Sequence, residues 1–325
     1  MNLGMVLVIL VGAYRVSSGY SEAGKIIAFA SYFTIISNAM MAVSRIFVMF
    51  SKGLASSRRI LEVIDTPYEE THGDFDTYDR LQPAIEFDAV SFSYLGNKDN
   101  VADISFTINK GETLGIIGPT GSGKSTLIQL LLRLYKPQKG TISVYGHDIQ
   151  TYDAQYNQLF GLVHQHDFVF QSTLGENIRF GRSFDDAAIL EAMKNAQASE
   201  FVSRLPKGLE APIASKGTNV SGGQRQRILI SRALVSSPDI LILDDSSSAL
   251  DYQTDAKLRN ALKTQYRGVT KVMVAQRIAS ILNADTILVM KDGRILDVGT
   301  HETLLKRCDL YNEIYDTQMG GMIDD

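Results

Sequence analysis

Apolar and polar positions divide this chain into two regimes. From Met1 to Phe50 the only charged residues are Arg15, Glu22, Lys25 and Arg45, whereas the sequence after Lys52 has an ordinary globular mixture. Ile26 to Phe50 is largely apolar and of the length that crosses a bilayer as a helix, about 20 residues or slightly more. A buried helix of a soluble domain would carry the same pattern, but the charges at one end favour a membrane span. Arg45 lies where a long side chain can snorkel, and Lys52, Arg58 and Arg59 follow, which places that end in the cytoplasm. Leu3 to Tyr14 is apolar but too short to span alone. Met1-Asn2-Leu3 lacks the basic start of a signal peptide. The expectation is the end of a preceding membrane helix, an external loop over Ser17 to Gly24, and a chain truncated at its N-terminus or cut from a longer protein.

Ser51 to Ile64 continues as a cytoplasmic helix, with Leu54, Ile60, Leu61 and Ile64 as its apolar positions, and Asp65-Thr66-Pro67 ends it. Residues 65–84 read as a polar, acidic linker with turn chemistry at His72-Gly73-Asp74. Strand signals begin at Ile85. Ile85 to Tyr94 alternates, Ile104 to Ile108 and Thr113 to Ile117 follow, and Thr141 to Tyr145 is a further candidate. Phe184 to Leu205 is helical in character. Ile240 to Leu243 is all apolar, as the buried middle of a parallel sheet requires, and Lys271 to Ala275 and Thr286 to Met290 repeat that pattern. Asp292-Gly293 ahead of Arg294-Ile295-Leu296 suggests a terminal hairpin.

At 325 residues the chain accommodates one large domain plus something smaller. The net charge of −4 gives no electrostatic reason to propose nucleic acid. Cys308 is the single cysteine, which excludes a disulfide framework. His164 and His166 flank Gln165, but no carboxylate or cysteine spacing completes a metal site there, so a solvated loop is the reading.

The chemistry concentrates in residues 118–126, which run Gly118-Pro119-Thr120-Gly121-Ser122-Gly123-Lys124-Ser125-Thr126. They fit the phosphate-loop pattern G-x-x-x-x-G-K-[ST], between a strand-like run and a helical one, the context the motif needs. Glycines let backbone N–H groups crowd a phosphate at the positive end of a helix. Lys124 would reach the outer phosphates and the Ser125 hydroxyl would hold Mg²⁺. Asp244 ends the buried run Ile240 to Leu243, where such sites complete the Mg²⁺ shell.

Val220-Ser221-Gly222-Gly223-Gln224-Arg225-Gln226-Arg227 leads into the apolar Ile228-Leu229-Ile230. With the phosphate loop and the Asp244 strand in this order, the chain resembles the ABC ATPase family, whose signature is Ser-Gly-Gly-Gln. Over residues 1–318 it looks like the C-terminal part of an exporter-type half-transporter. The resemblance implies an α/β P-loop ATPase domain over 85–318, with a helical subdomain over about 166–238 and a tail over 319–325. It implies a partial α-helical transmembrane domain over 1–64. ATP and Mg²⁺ are the implied cofactors. Tyr94 matches the aromatic that stacks on adenine, although a sheet-face aromatic beside Val90 and Phe92 would look the same. Gln165 matches the glutamine that senses Mg²⁺ and couples to the membrane helices. Ser248-Ala249-Leu250-Asp251 matches the loop that crosses the dimer interface.

Two positions depart from the family's pattern. The residue after the Mg²⁺ aspartate is usually a glutamate that polarises the attacking water, and here it is Asp245, one methylene shorter. Gln276 stands where the family usually has a histidine against the γ-phosphate; glutamine donates a hydrogen bond but cannot become cationic. Ser215-Lys216-Gly217 replaces the Glu-Arg-Gly common in exporters and puts one inter-subunit contact in doubt. The binding residues are retained, so the expectation is a chain that binds ATP and hydrolyses it slowly over its own phosphate loop. Such members resemble the degenerate-site subunit of a heterodimeric multidrug exporter. The implied partner is a different half-transporter with an intact Glu and His, whose site Ser221, Gly222, Gly223 and Gln224 would complete. The implied setting is multi-pass in the cell membrane with a cytoplasmic ATPase domain, a drug-like, lipid or peptide substrate, and no nucleic acid. A self-sufficient homodimeric exporter and a truncated, non-hydrolytic ATP-binding regulatory module are the alternatives.

Overall fold

A computed structural model describes residues 2–66, 81–165, 168–246 and 249–319. His166, Ser248, linker residues 67–80 and tail residues 320–325 lie outside the described residues. The chain divides into two compact units, Met1–Glu69 and Glu70–Asp325.

The first unit is a pair of helices, α1 (Asn2–Ser17) and α2 (Ala23–Ile64). A Cβ at Gly4 would meet the Phe33 ring at 3.0 Å, and one at Gly12 would meet Ile26 at 2.9 Å. As α1 ascends, its contacts on α2 descend, so the two run antiparallel, with glycine permitting the close approach. α2 is unbroken for 42 residues, about 63 Å at 1.5 Å per residue, twice the roughly 30 Å hydrocarbon core of a bilayer. Hydroxyls inside it are satisfied locally: Ser31, Thr34 and Ser44 donate to the carbonyls four residues earlier at 2.9, 2.9 and 3.1 Å. Among the described residues α2 is the one helix long and apolar enough to cross a membrane.

The second unit opens with β1 (Ile85–Phe92), β2 (Val101–Ile108), β3 (Thr113–Ile117), α3 (Lys124–Leu131), β4 (Lys139–Val144), β5 (His147–Asp148) and β6 (Phe160–Val163). β7 (Ser172–Thr173), α4 (Leu174–Arg179), α5 (Asp186–Asn195), α6 (Ser199–Ser203), β8 (Pro212–Ile213) and α7 (Gly222–Leu234) follow. The chain closes with β9 (Ile240–Asp244), α8 (Tyr252–Gln265), β10 (Thr270–Val274), β11 (Thr286–Lys291), β12 (Arg294–Gly299), α9 (His301–Arg307) and α10 (Asp309–Met319). The central sheet has the order β12-β11-β3-β10-β9-β6. Its inner strands are parallel and β12 is antiparallel at the edge. All five residues of β9 are buried, because helices and a second sheet cover both faces of a parallel layer. An antiparallel sheet, β2-β1-β4-β5, packs its apolar face on α3 through Phe87, Ile104, Leu127 and Leu130.

Register brings the chemistry together. Val274 pairs with Asp244 on one side and Ile116 on the other. The ends of β3, β9 and β10 therefore reach the same edge, where the phosphate loop, Asp244 and Gln276 emerge.

Local departures from the sequence pattern have physical causes. The alternation from Ile85 breaks at Asp88 and Ala89, where a bulge shifts the register and Ala89 adopts φ 49°. The helical stretch from Phe184 to Leu205 is two helices, because Gln197 turns left-handed at φ 59°. β6 carries only Phe160-Gly161-Leu162-Val163; Gly161 is small there because a Cβ would fall 2.5 Å from the Ala233 carbonyl of α7.

Candidate functional site

The loop from Gly118 to Gly123 is shaped by what its glycines exclude. A Cβ on Gly118 would sit 2.1 Å from the Met290 carbonyl, and one on Gly123 would sit 2.9 Å from the Asn100 carbonyl at φ 99°. Only a bare backbone passes there. α3 starts directly at Lys124, so its free N–H groups and dipole face the loop. The Lys124 ammonium donates to the Gly118 and Pro119 carbonyls at 2.8 Å each. Its third contact, to Ser122 Oγ, is long at 3.5 Å, weak enough for an incoming phosphate oxygen to displace. Burial lowers the Lys124 pKa against the raising pull of Asp244 and Asp245.

A cavity of about 610 Å³ opens over this loop. Of the residues singled out in the sequence, it gathers Gly118, Thr120, Gly121, Gly123, Lys124, Ser125, Thr126, Gln165, Asp244, Asp245 and Gln276. The Ser125 hydroxyl, the Asp244 carboxylate and the Gln165 amide are hard oxygen donors in the lining of this cavity, a set that fits a magnesium ion. Asp245 is bonded to its surroundings throughout. Its N–H donates to the Val274 carbonyl at 2.9 Å, and its Oδ2 accepts from Gln276 Nε2 at 2.8 Å. Burial raises its pKa; Arg277, the Gln276 backbone amide, Lys124 and a hydrogen bond from Gln165 pull the other way.

The other candidates lie elsewhere. Ser122 is buried, and its carbonyl accepts from the Gly293 N–H at 3.2 Å, tying the loop to the β11–β12 turn. The Tyr94 hydroxyl bonds to the Gln129 side chain and lies 3.3 Å from Thr126 Oγ1, so the ring sits beside the cavity rather than in its wall. Tyr135 packs edge-on against it at 5.0 Å. Ser221, Gly222, Gly223 and Gln224 open α7 away from this cavity. The Ser221 hydroxyl accepts from the Gln224 N–H at 3.2 Å, and the Gln224 side chain accepts from the Ser221 N–H at 2.9 Å, a complete capping box. Asp251 caps α8, accepting from the Thr254 N–H and hydroxyl at 2.9 and 2.7 Å, and these bonds lower its pKa.

The cavity also has a wall that carries no motif. Leu310, Glu313, Ile314, Thr317 and Gln318 of α10 line it. Gln318 Nε2 donates to the Gln276 carbonyl at 2.7 Å, and Gln318 Oε1 accepts from the Ile278 N–H at 2.8 Å. Its amide thus pairs with the loop as a neighbouring strand would. Only the apolar spacing of Leu310 and Ile314 hints at a packed helix there.

Comparison with known proteins places these features in one family. Residues 101–248 match the family described as ABC transporter. The chain is 39% identical to the ABC transporter ATP-binding protein YfiB of Bacillus subtilis, over 98% of this chain and 56% of that protein. It is 38% identical to the ATP-dependent lipid A-core flippase of Saccharophagus degradans, over 92% of this chain and 51% of that protein. Among solved structures, a bacterial Atm1-family ABC exporter with ATP bound superposes with a TM-score of 0.75 at 31% identity, over 98% of this chain and 56% of that chain. The chain therefore spans about half the length of the relatives it matches.

Proposed function

The chain carries the ATP-binding domain of an ABC transporter, and we propose that it serves as one ATP-binding subunit of a membrane exporter, with a slow ATP site of its own. In this reading Lys124, the loop N–H groups and the start of α3 hold the phosphates, and Tyr94 stands beside the cavity for the base. Ser125, Gln165 and Asp244 hold Mg²⁺, which when bound supplies charge neutralisation on the phosphate oxygens. α1 and α2 belong to the membrane part, whose cargo is a drug-like, lipid or peptide molecule. ATP then acts as a clamp between two such domains, biasing the membrane helices between two states.

The observation that carries the slow site is the Asp245–Gln276 bond. A water-polarising carboxylate must come within hydrogen-bond reach of the water it activates, an effect of roughly 10²- to 10⁴-fold. Asp245 is one methylene short of the family's glutamate and already accepts from Gln276 and Gln165. The neutral Gln276 amide also supplies no cationic donor to the γ-phosphate. The intact Ser221–Gln224 turn would complete the competent site of a different partner subunit, which makes a heterodimer the favoured assembly.

A second reading, a self-sufficient homodimer, is favoured by Asp245 lining the cavity within electrostatic reach of Lys124. Nucleotide recovery separates the two. Full-length protein is incubated with Mg·ATP for many minutes, freed of unbound nucleotide, and its bound nucleotide identified. The proposal expects ATP; a predominance of ADP would favour the homodimer.

A further inference from the structure

At the end of the parallel sheet opposite the phosphate loop, where β3 and β10 begin, a second cavity of about 650 Å³ opens against α8. It shares no lining residue with the first. Arg259, Lys263, Arg267 and Lys271 face it against one carboxylate, Asp285. One oxygen of Asp285 is already taken by the Thr113 N–H at 2.7 Å. Arg259 is balanced by Asp255 at 3.2 Å. Lys263, Arg267 and Lys271 against Asp285 therefore leave a surplus of two positive charges among the lining side chains.

Lys271 is the informative member. It is only 6% exposed, and its ammonium donates to the Tyr266 and Val269 carbonyls at 2.8 and 2.9 Å. Burial lowers its pKa, with Asp285 acting in the opposite sense. An ammonium withdrawn from water, hydrogen-bonded to neutral carbonyls and shared with Lys263 and Arg267 against the single carboxylate of Asp285, leaves its charge only partly compensated. Its third donor is available to a ligand. Lys263 and Arg267 are exposed at the rim, where they would complete a cationic ring.

We infer that this cleft is a second anion site, which takes a small phosphate-bearing molecule through Lys263, Arg267 and Lys271. The chemistry selects phosphate, which carries about −1.5 to −2 charges and several acceptor oxygens in one compact group. The cavity volume falls in the range of about 300–1,000 Å³ typical of small-molecule pockets. The inference stands on these residues and does not depend on whether the chain's own ATP site is slow.

The test uses full-length protein in detergent micelles, with the nucleotide site saturated by a magnesium-bound, non-hydrolysable ATP analogue. Inorganic pyrophosphate is titrated in by calorimetry at low ionic strength, with magnesium in excess. One additional binding event is expected. It should weaken by about tenfold or more when two charge-assisted contacts are removed in the Lys263→Gln/Arg267→Gln variant, while affinity for the analogue stays unchanged. Both positions are exposed, so the variant should fold. Absence of the additional event, or an event of equal strength in both proteins, overturns the proposal. So does a variant-sensitive event seen with an acidic peptide but not with pyrophosphate, which would assign the cleft to a protein partner.

Discussion

Gln276 Nε2 donates a 2.8 Å hydrogen bond to Asp245 Oδ2, so the two side chains that the sequence marks as expected departures from the family's pattern bond to each other at the cavity edge. Asp245 also sits at φ 49°, in the left-handed region. Aspartate tolerates that region better than glutamate, because its short side chain can hydrogen-bond locally. Asp245→Glu alone should therefore lower stability slightly, by less than about 1 kcal/mol, or a Tm shift of roughly 2–4 °C at most for a domain of this size. Thermal unfolding of the nucleotide-free protein checks this; a rise in Tm would contradict the backbone argument.

The same residue sets a pH dependence. Burial raises the Asp245 pKa, so the folded protein binds this proton more tightly than the unfolded chain. Its contribution to stability is then greatest below the ordinary aspartate range and is lost as pH rises through the folded-state pKa. Asp245→Asn removes that loss. Relative to wild type it should become more stable as pH climbs out of the acid range and hold the gain above it. Denaturant melts of nucleotide-free protein across that window are the measurement, and a pH-independent difference would refute the assignment.

In the proposed function Lys124 bridges the loop to the phosphates. Replacing it by alanine removes the two carbonyl contacts and the ammonium that would meet phosphate. One charge-assisted bond is worth about 1.5–3 kcal/mol, so ATP affinity should fall by roughly 10- to 150-fold. The Tm rise that saturating ATP gives the wild type should shrink accordingly. An undiminished ATP-induced shift would remove Lys124 from the phosphate site.

Gln318 holds the loop that carries Gln276 through two hydrogen bonds. Gln318→Ala should cost about 1–3 kcal/mol, from two neutral bonds at about 0.5–1.5 kcal/mol each. It should also slow ATP turnover in an Asp245→Glu/Gln276→His background more than it weakens ATP binding, because it frees the position of residue 276. Equal losses in both would mark Gln318 as purely structural.

Most of the site's floor was legible in the sequence because local pattern determines it. Gly118, Gly123 and Lys124 need only their own turn and the helix that follows. Asp244 needs only the end of an apolar run. What escaped depends on distant packing. Nothing near Gln318 signals that its amide reaches the loop after β10, since that contact exists only once α9 and α10 fold back on the sheet. The bulge at Ala89 and the left-handed turn at Gln197 are similarly invisible, because neither residue is a turn former by type. Tyr94 was readable as an aromatic near the loop, but its anchoring to Gln129 was not.

The most direct test of the slow site is the steady-state ATPase rate of the full-length chain beside its Asp245→Glu/Gln276→His variant, with ATP binding measured in both. The account predicts equal binding, near-silence in the wild type, and a rate at least tenfold higher in the variant, the low end of what a repositioned general base and donor return. A wild type that turns over ATP as fast as the variant would contradict it, and the homodimeric reading would then stand.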